Sequence, residues 1–381
     1  YCAKSESTLP VPALQPTGET GARDGGDALP LTVRDPGGRE LWTYVWPDAG
    51  MVDLGALVGG TVADGGARGA ANSAAVKVSE DNDALVAEAG ELSLRFSRRT
   101  GELSAVSRGG KSFSLVNGPR LVAEAPPPPP APRRRRGATA PAPVVPPPAS
   151  EPALASTLTS LTSATEGSDV LITATYSGNM RKITYRVHPN GWLTIDYAYD
   201  LTGPREFFGV GFDYPESKVT GLRDFGDGPS TVYQNRTAGG TLSVWNKPYN
   251  NTIVGDPDDL APGQKFDYPI FKGYYAGVRW CQLQTTEGPI TVLVPGAQDF
   301  VQILKPRVPA ANELGQTGVP FPETGISFLR AIPAIGSKFS RATTTGPEGQ
   351  PAVARGAYEG EISVYFGALG EKTGGSFGGL P

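Results

Sequence analysis

Alternating apolar and polar residues recur along this sequence in runs of a few residues, and each run is cut by a glycine, proline or asparagine turn. Glu91-Leu-Ser-Leu-Arg-Phe96 alternates strictly, then Arg99-Thr-Gly-Glu102 turns toward the next run. Arg108-Gly-Gly-Lys111 turns again before Phe113-Ser-Leu115. Asp169–Tyr176 and Arg181–Val187 flank Ser177-Gly-Asn179, and His188-Pro-Asn-Gly191 leads into Trp192–Tyr199, which places Leu193, Ile195, Tyr197 and Tyr199 on one face. Phe207–Phe212, Tyr274–Leu283, Ile290–Val294, Ile326–Leu329 and Glu361–Phe366 repeat the theme. A strand returns its side chains to the same face every second residue, so each run can bury one face and wet the other. No window of a dozen residues carries a helical stripe, and 50 glycines with 37 prolines in 381 residues disfavour helix interiors. The expected body is all-β and antiparallel, two large sheets packed face to face.

The runs also organise the chain. Asp35-Pro-Gly-Gly-Arg39 joins Leu29–Arg34 to Glu40–Trp46 as a hairpin, and residues 49–75 read as a Gly/Ala-rich linker. The sandwich is expected over 76–369. Proline runs and Arg133–Arg136 break it at 124–155, a composition that cannot pack a core and reads as a disordered loop insertion. Residues 370–381 read as a flexible tail. The opening Tyr1-Cys2, without Met or a signal-peptide pattern, reads as part of something longer.

Several function classes fall away. A net charge of −4 gives no electrostatic case for nucleic acid. No apolar run approaches the ~20 residues of a membrane-spanning helix, so no membrane partner is expected. Cys2 and Cys281 support neither a disulfide framework nor a zinc site. The single histidine, His188, sits in a turn, so a Ser-His-Asp hydrolase would rest on that one residue. No cofactor is expected.

What remains is one segment that either merely joins two strands or faces a sugar. Gly226-Asp-Gly-Pro229 reads as a tight turn, followed by Tyr233, Asn235 and Arg236. Together with Trp245, Tyr249, Asn250, Lys272 and Tyr274 these supply aromatic faces for pyranose rings and polar groups for hydroxyls. Asp224 with Asp227, and Asp256 with Asp258 and Asp259, read as turn aspartates rather than a hydrolytic pair. Oxygen ligands on a loop would suit calcium at the second cluster, though without a defined spacing.

The run Glu91–Leu103 with Gly109-Gly-Lys and Asn117-Gly-Pro-Arg120, then Gly226–Arg236, then Tyr268-Pro-Ile-Phe-Lys-Gly-Tyr-Tyr-Ala-Gly-Val-Arg-Trp280, then Ile326–Phe339 and Gly346-Pro347, occur in one order. In that order they resemble the last domain of family-two glycoside hydrolases of β-galactosidase type. The hairpin Val33–Trp42 resembles the end of the small immunoglobulin-like sandwich preceding it, which makes residues 1–48 the tail of such a domain. The resemblance implies a galactose-mutarotase-like supersandwich, recognition of a β-galactoside, and Phe339 and Arg341 as further site candidates on a late loop. It also implies that the catalytic glutamates belong to an upstream (β/α)₈ barrel. This sequence has neither strand–helix alternation nor a spare stretch of about 250 residues for one. The resemblance therefore implies a non-catalytic wall that partners a barrel on the same protein or a separate chain. The alternative is a stand-alone carbohydrate-binding protein.

Overall fold

The computed structural model describes residues 28–47, 58, 75–127, 154–251, 269–296, 300–307, 318–337 and 340–368. The chain divides into two compact units, Tyr1–Met51 with Ser376–Pro381, and Val52–Gly375. In the first, β1 (Ala28–Arg34) and β2 (Glu40–Pro47) form an antiparallel hairpin. Its turn is closed by Asp35, whose Oδ1 accepts from the amides of Gly37 and Arg39, each at 2.9 Å.

Among the described residues the second unit is built from β-strands, as the alternation predicts, with a few single 3-10 turns between them. A meander of five strands comes first: β3 (Lys77–Glu80), β4 (Ala84–Ala89), β5 (Leu92–Ser97), β6 (Leu103–Arg108) and β7 (Lys111–Phe113), each antiparallel to the next. Then follow β8 (Val116–Glu124), β9 (Ser156–Glu166), β10 (Asp169–Gly178), β11 (Met180–Val187), β12 (Trp192–Arg205), β13 (Phe207–Asp213) and β14 (Val219–Val232). The rest are β15 (Thr241–Pro248), β16 (Gly273–Thr285), β17 (Ile290–Leu293), β18 (Phe300–Ile303), β19 (Ile326–Ala331) and β20 (Ala352–Tyr365). The insertion expected at 124–155 falls almost wholly outside the described residues.

Strands β9 to β12 pair in sequence, then β20 enters between β12 and β17. It matches β12 from Trp192–Tyr365 to Arg205–Ala352. β17 pairs with one half of β16 and β18 with the other, and from β18 the ladder continues through β19 and β13 to β8. β14 lies along the opposite edge of β16 and carries β15.

The core follows from the alternation. Leu92, Leu94 and Phe96 of β5 pack in one cluster with Ile172, Ile183, Tyr185, Leu193 and Ile195 of β10 to β12. Burying each such side chain contributes roughly 1.5–3 kcal/mol relative to exposing it. Phe96 meets the Tyr185 ring at 4.6 Å between centroids, and the Tyr185 hydroxyl donates to the carbonyls of Gly101 and Gly118 at 3.1 and 3.2 Å. A second, smaller cluster gathers Phe207, Val232, Tyr274, Ala276, Val319, Phe321, Leu329 and Ile332. This cluster lies beneath the site described next.

Candidate functional site

The stretch Gly226–Pro229 is not a turn: β14 runs through it to Val232, with register shifts against β16 after Phe225 and after Asp227. The glycines are there for room. A Cβ on Gly228 would stand 2.5 Å from the Trp245 indole, whose Nε1 donates to the Gly226 carbonyl at 3.1 Å. Glycine inside a strand marks such a close approach as often as a chain reversal. The reversal comes one step later, where Tyr233 and Arg236 exchange backbone hydrogen bonds.

That four-residue turn draws distant segments together. The Gln234 amide donates to the Pro333 carbonyl at 3.0 Å, and its side-chain Nε2 donates to the carbonyls of Gln350 and Glu348 at 3.0 and 3.2 Å. Asn235 Nδ2 donates to the Ile335 carbonyl at 3.0 Å while its Oδ1 accepts the Ile335 amide at 2.9 Å. Arg236 reaches the Gly336 carbonyl at 3.5 Å. Both ends of the Asn235 amide are thus committed to backbone, which makes it a tether rather than the ligand contact the sequence suggests. Replacing Asn235 with Ala removes both the donor and the acceptor. We expect a loss of about 1–3 kcal/mol and faster hydrogen exchange of the Ile335 amide; unchanged exchange would show the tether to be unimportant.

Tyr274 is also corrected. It is wholly buried, its ring stacks on Phe321 at 4.6 Å, and its hydroxyl donates to the Pro320 carbonyl at 2.6 Å, so it is core and not groove. Tyr233 packs edge-on against it at 6.5 Å, and burial pushes the Tyr233 phenol up to about 12. Arg236 and Arg341 are exposed. Gly336 abuts the backbone of Ser340–Ala342, which brings Arg341 into the same loop cluster as Arg236. Phe339 lies outside the described residues.

The other expected residues meet elsewhere. Glu216 Oε1 accepts from the Tyr249 hydroxyl at 2.6 Å and from Lys272 Nζ at 2.9 Å, and Lys272 also donates to Asn251 Oδ1 at 2.7 Å. Asn250 Nδ2 donates to the Pro269 carbonyl at 3.0 Å. Lys272 is buried, and burial, reinforced by Glu216, pushes the Tyr249 phenol up. The aspartates at 256, 258 and 259 lie outside the described residues. Among the described residues, no three His, Cys, Asp or Glu side chains come together as a metal site.

The carboxylates also fall differently from the expected turn pairs. Asp224 is buried against Lys247 at 2.7 Å. Asp227 lies against Gly277, its carboxyl pushed up by burial and opposed by Arg279. Two acids not singled out in the sequence, Asp196 on β12 and Glu361 on β20, stand directly opposite each other. With Lys182, Thr184 and Glu359 they line an open groove of ≈ 400 Å³. Burial pushes both carboxyls up, and Asp196 adds to the rise at Glu361. Inward Leu193, Ile195 and Tyr197 mark Asp196 as outward-facing, but nothing local announces Glu361 as its neighbour.

His188 closes a chain of hydrogen bonds. Its Nδ1 meets Asp169 Oδ2 at 3.1 Å, its Nε2 meets Thr194 Oγ1 at 3.1 Å, and Thr194 meets Ser363 Oγ at 3.0 Å. Burial lowers the His188 pKa, with Asp169 opposing and Arg186 reinforcing. The chain ties the turn to β10, β12 and β20.

Compared with known proteins, the chain matches no family model and no curated protein.

Proposed function

We propose that this chain is the non-catalytic, saccharide-facing sandwich of a β-galactosidase-type glycoside hydrolase. It would complete the wall of an active site whose acids belong to a separate barrel domain or chain. The observation behind this reading is convergence: the motif segments around 226–236, 268–280, 326–337 and 346–350 meet at the Tyr233–Arg236 turn. Arg236 and Arg341 are exposed at that loop cluster, and guanidinium groups suit sugar hydroxyls. Ligand-detected NMR with lactose tests the wall. Binding that weakens about tenfold in the Arg236→Ala, Arg341→Ala double variant supports it, and no binding, or binding indifferent to both arginines, counts against it. Useful affinity on a glycan array without any barrel partner would favour a stand-alone binding protein.

A second reading, a hydrolase in its own right, is favoured by the opposed carboxyls of Asp196 and Glu361. Directly opposite residues on paired strands hold their Cβ atoms about 4.5–5.5 Å apart, which sets both side chains on one face, and retaining glycosidases use two neighbouring carboxyls about 5–5.5 Å apart. Aryl β-galactoside turnover by the purified chain, abolished in Asp196→Asn and Glu361→Gln, would replace the first reading with this one.

A further inference from the structure

β9 pairs with β10 along one edge, and among the described residues no strand pairs along the other. Alternate residues of an antiparallel strand turn their N–H and C=O groups away from the neighbour, so that edge offers a row of unmet donors and acceptors. Chains usually guard such an edge with charge, proline or a bulge. β3 carries Lys77 and Glu80 at its ends, and β15 closes on Pro248. β9 reads Ser156-Thr-Leu-Thr-Ser-Leu-Thr-Ser-Ala-Thr-Glu166, with no lysine, arginine or proline. Its guards are the terminal Glu166 and an irregularity near Thr159, where the register against Thr175 and Tyr176 slips. Beyond it Ser160–Glu166 runs regularly and is almost entirely exposed, with only Leu161 partly buried against the core.

We propose that this edge pairs with the same edge of a second copy of the chain, antiparallel about a twofold axis at Ser163. In that register Ser160 faces Glu166 of the second copy, Leu161 faces Thr165, Thr162 faces Ala164, and Ser163 faces itself. Leu161, Ser163 and Thr165 lie opposite Ala174, Ile172 and Val170 of β10, all buried, so the pairing keeps core side to core side and joins two sheets into one. The strand meets the requirement of an isologous contact, which is compatibility with itself. Its only charge, Glu166, is held by Arg186 at 2.5 Å and meets a serine, so no like charges oppose. An uncharged, hydroxyl-rich edge offers nothing to select a foreign strand of opposite charge.

Sedimentation equilibrium of the full chain over a concentration series tests this, with a monomer–dimer equilibrium expected. The Thr162→Lys, Ala164→Lys variant sets lysine against lysine twice and is expected to weaken dimerisation at least about tenfold. Thr162→Glu with Ala164→Glu does the same, and an equimolar mixture of the two variants recovers a heterodimer. Both positions are exposed, so circular dichroism and Tm of the variants should match the parent. A parent that stays monomeric at the highest concentration, a dimer undiminished by the lysines, or a mixture that fails to recover would each overturn the proposal.

Discussion

Replacing Lys247 with alanine is expected to cost about 3–5 kcal/mol of stability, read as a lower urea midpoint at unchanged slope. Lys247 Nζ lies 2.7 Å from Asp224 Oδ1, with side chains 1% and 3% exposed, and 4.1 Å from the Tyr275 ring centroid. Burial pushes the Asp224 carboxyl up and the Lys247 ammonium down, so each depends on the other to stay charged. Without the ammonium, Asp224 is either a bare buried anion or must take a proton. A carboxyl protonated more readily when folded than when unfolded stabilises at low pH and loses that contribution as pH rises. The variant should therefore recover part of its loss on acidification. The double change Asp224→Leu, Lys247→Met should recover most of it at neutral pH, because apolar residues of similar volume carry no desolvation cost. A loss below about 1 kcal/mol for Lys247→Ala would mean that water reaches the pair.

The second large effect is expected at Glu287. Its carboxylate accepts from the Ser114 amide, the Ser114 hydroxyl and the Tyr214 hydroxyl, each at 2.9 Å, and from Lys218 Nζ at 2.5 Å. Burial alone would raise this group, which is 12% exposed, but the bonds from Lys218, Ser114 and Tyr214 outweigh it and hold the carboxyl below its ordinary value. A depressed carboxyl contributes stability that is present above the unfolded value, near 4.5, and lost as pH falls through the folded one. Glu287→Gln keeps the shape and loses the charge. It should cost about 2–3 kcal/mol at pH 7, and the gap to the parent should close as pH drops below about 4.5. A gap that stays constant with pH would remove the charge from the explanation.

Much of the fold could be read from local pattern. The alternation of Leu92, Leu94 and Phe96 and the turn at His188–Gly191 appear in the structure where the sequence suggests them, because period and turn chemistry are local properties. The site was less legible, for identifiable reasons. Gly226-Asp-Gly-Pro229 carries turn chemistry, yet its glycines serve an indole contributed by a strand farther on. Tyr274 has a groove residue's chemistry, but Val319, Phe321 and Ile332 roof its face of the sheet, and nothing near Tyr274 in sequence announces them. The partnerships Asp224–Lys247 and Asp196–Glu361 depend on which strands become neighbours. Asp196 and Glu361 meet through the pairing of β12 with β20, far apart along the chain.

The placement of β20 has a consequence for biosynthesis. β20 lies between β12 and β17, so both stand with a bare flank while the intervening polypeptide is still emerging from the ribosome. The closing step joins residues far apart along the chain, the slowest kind of contact to find. During that delay the nascent protein is most open to misjoining with its neighbours, and a chaperone holding the unclosed flank of β12 would protect it best.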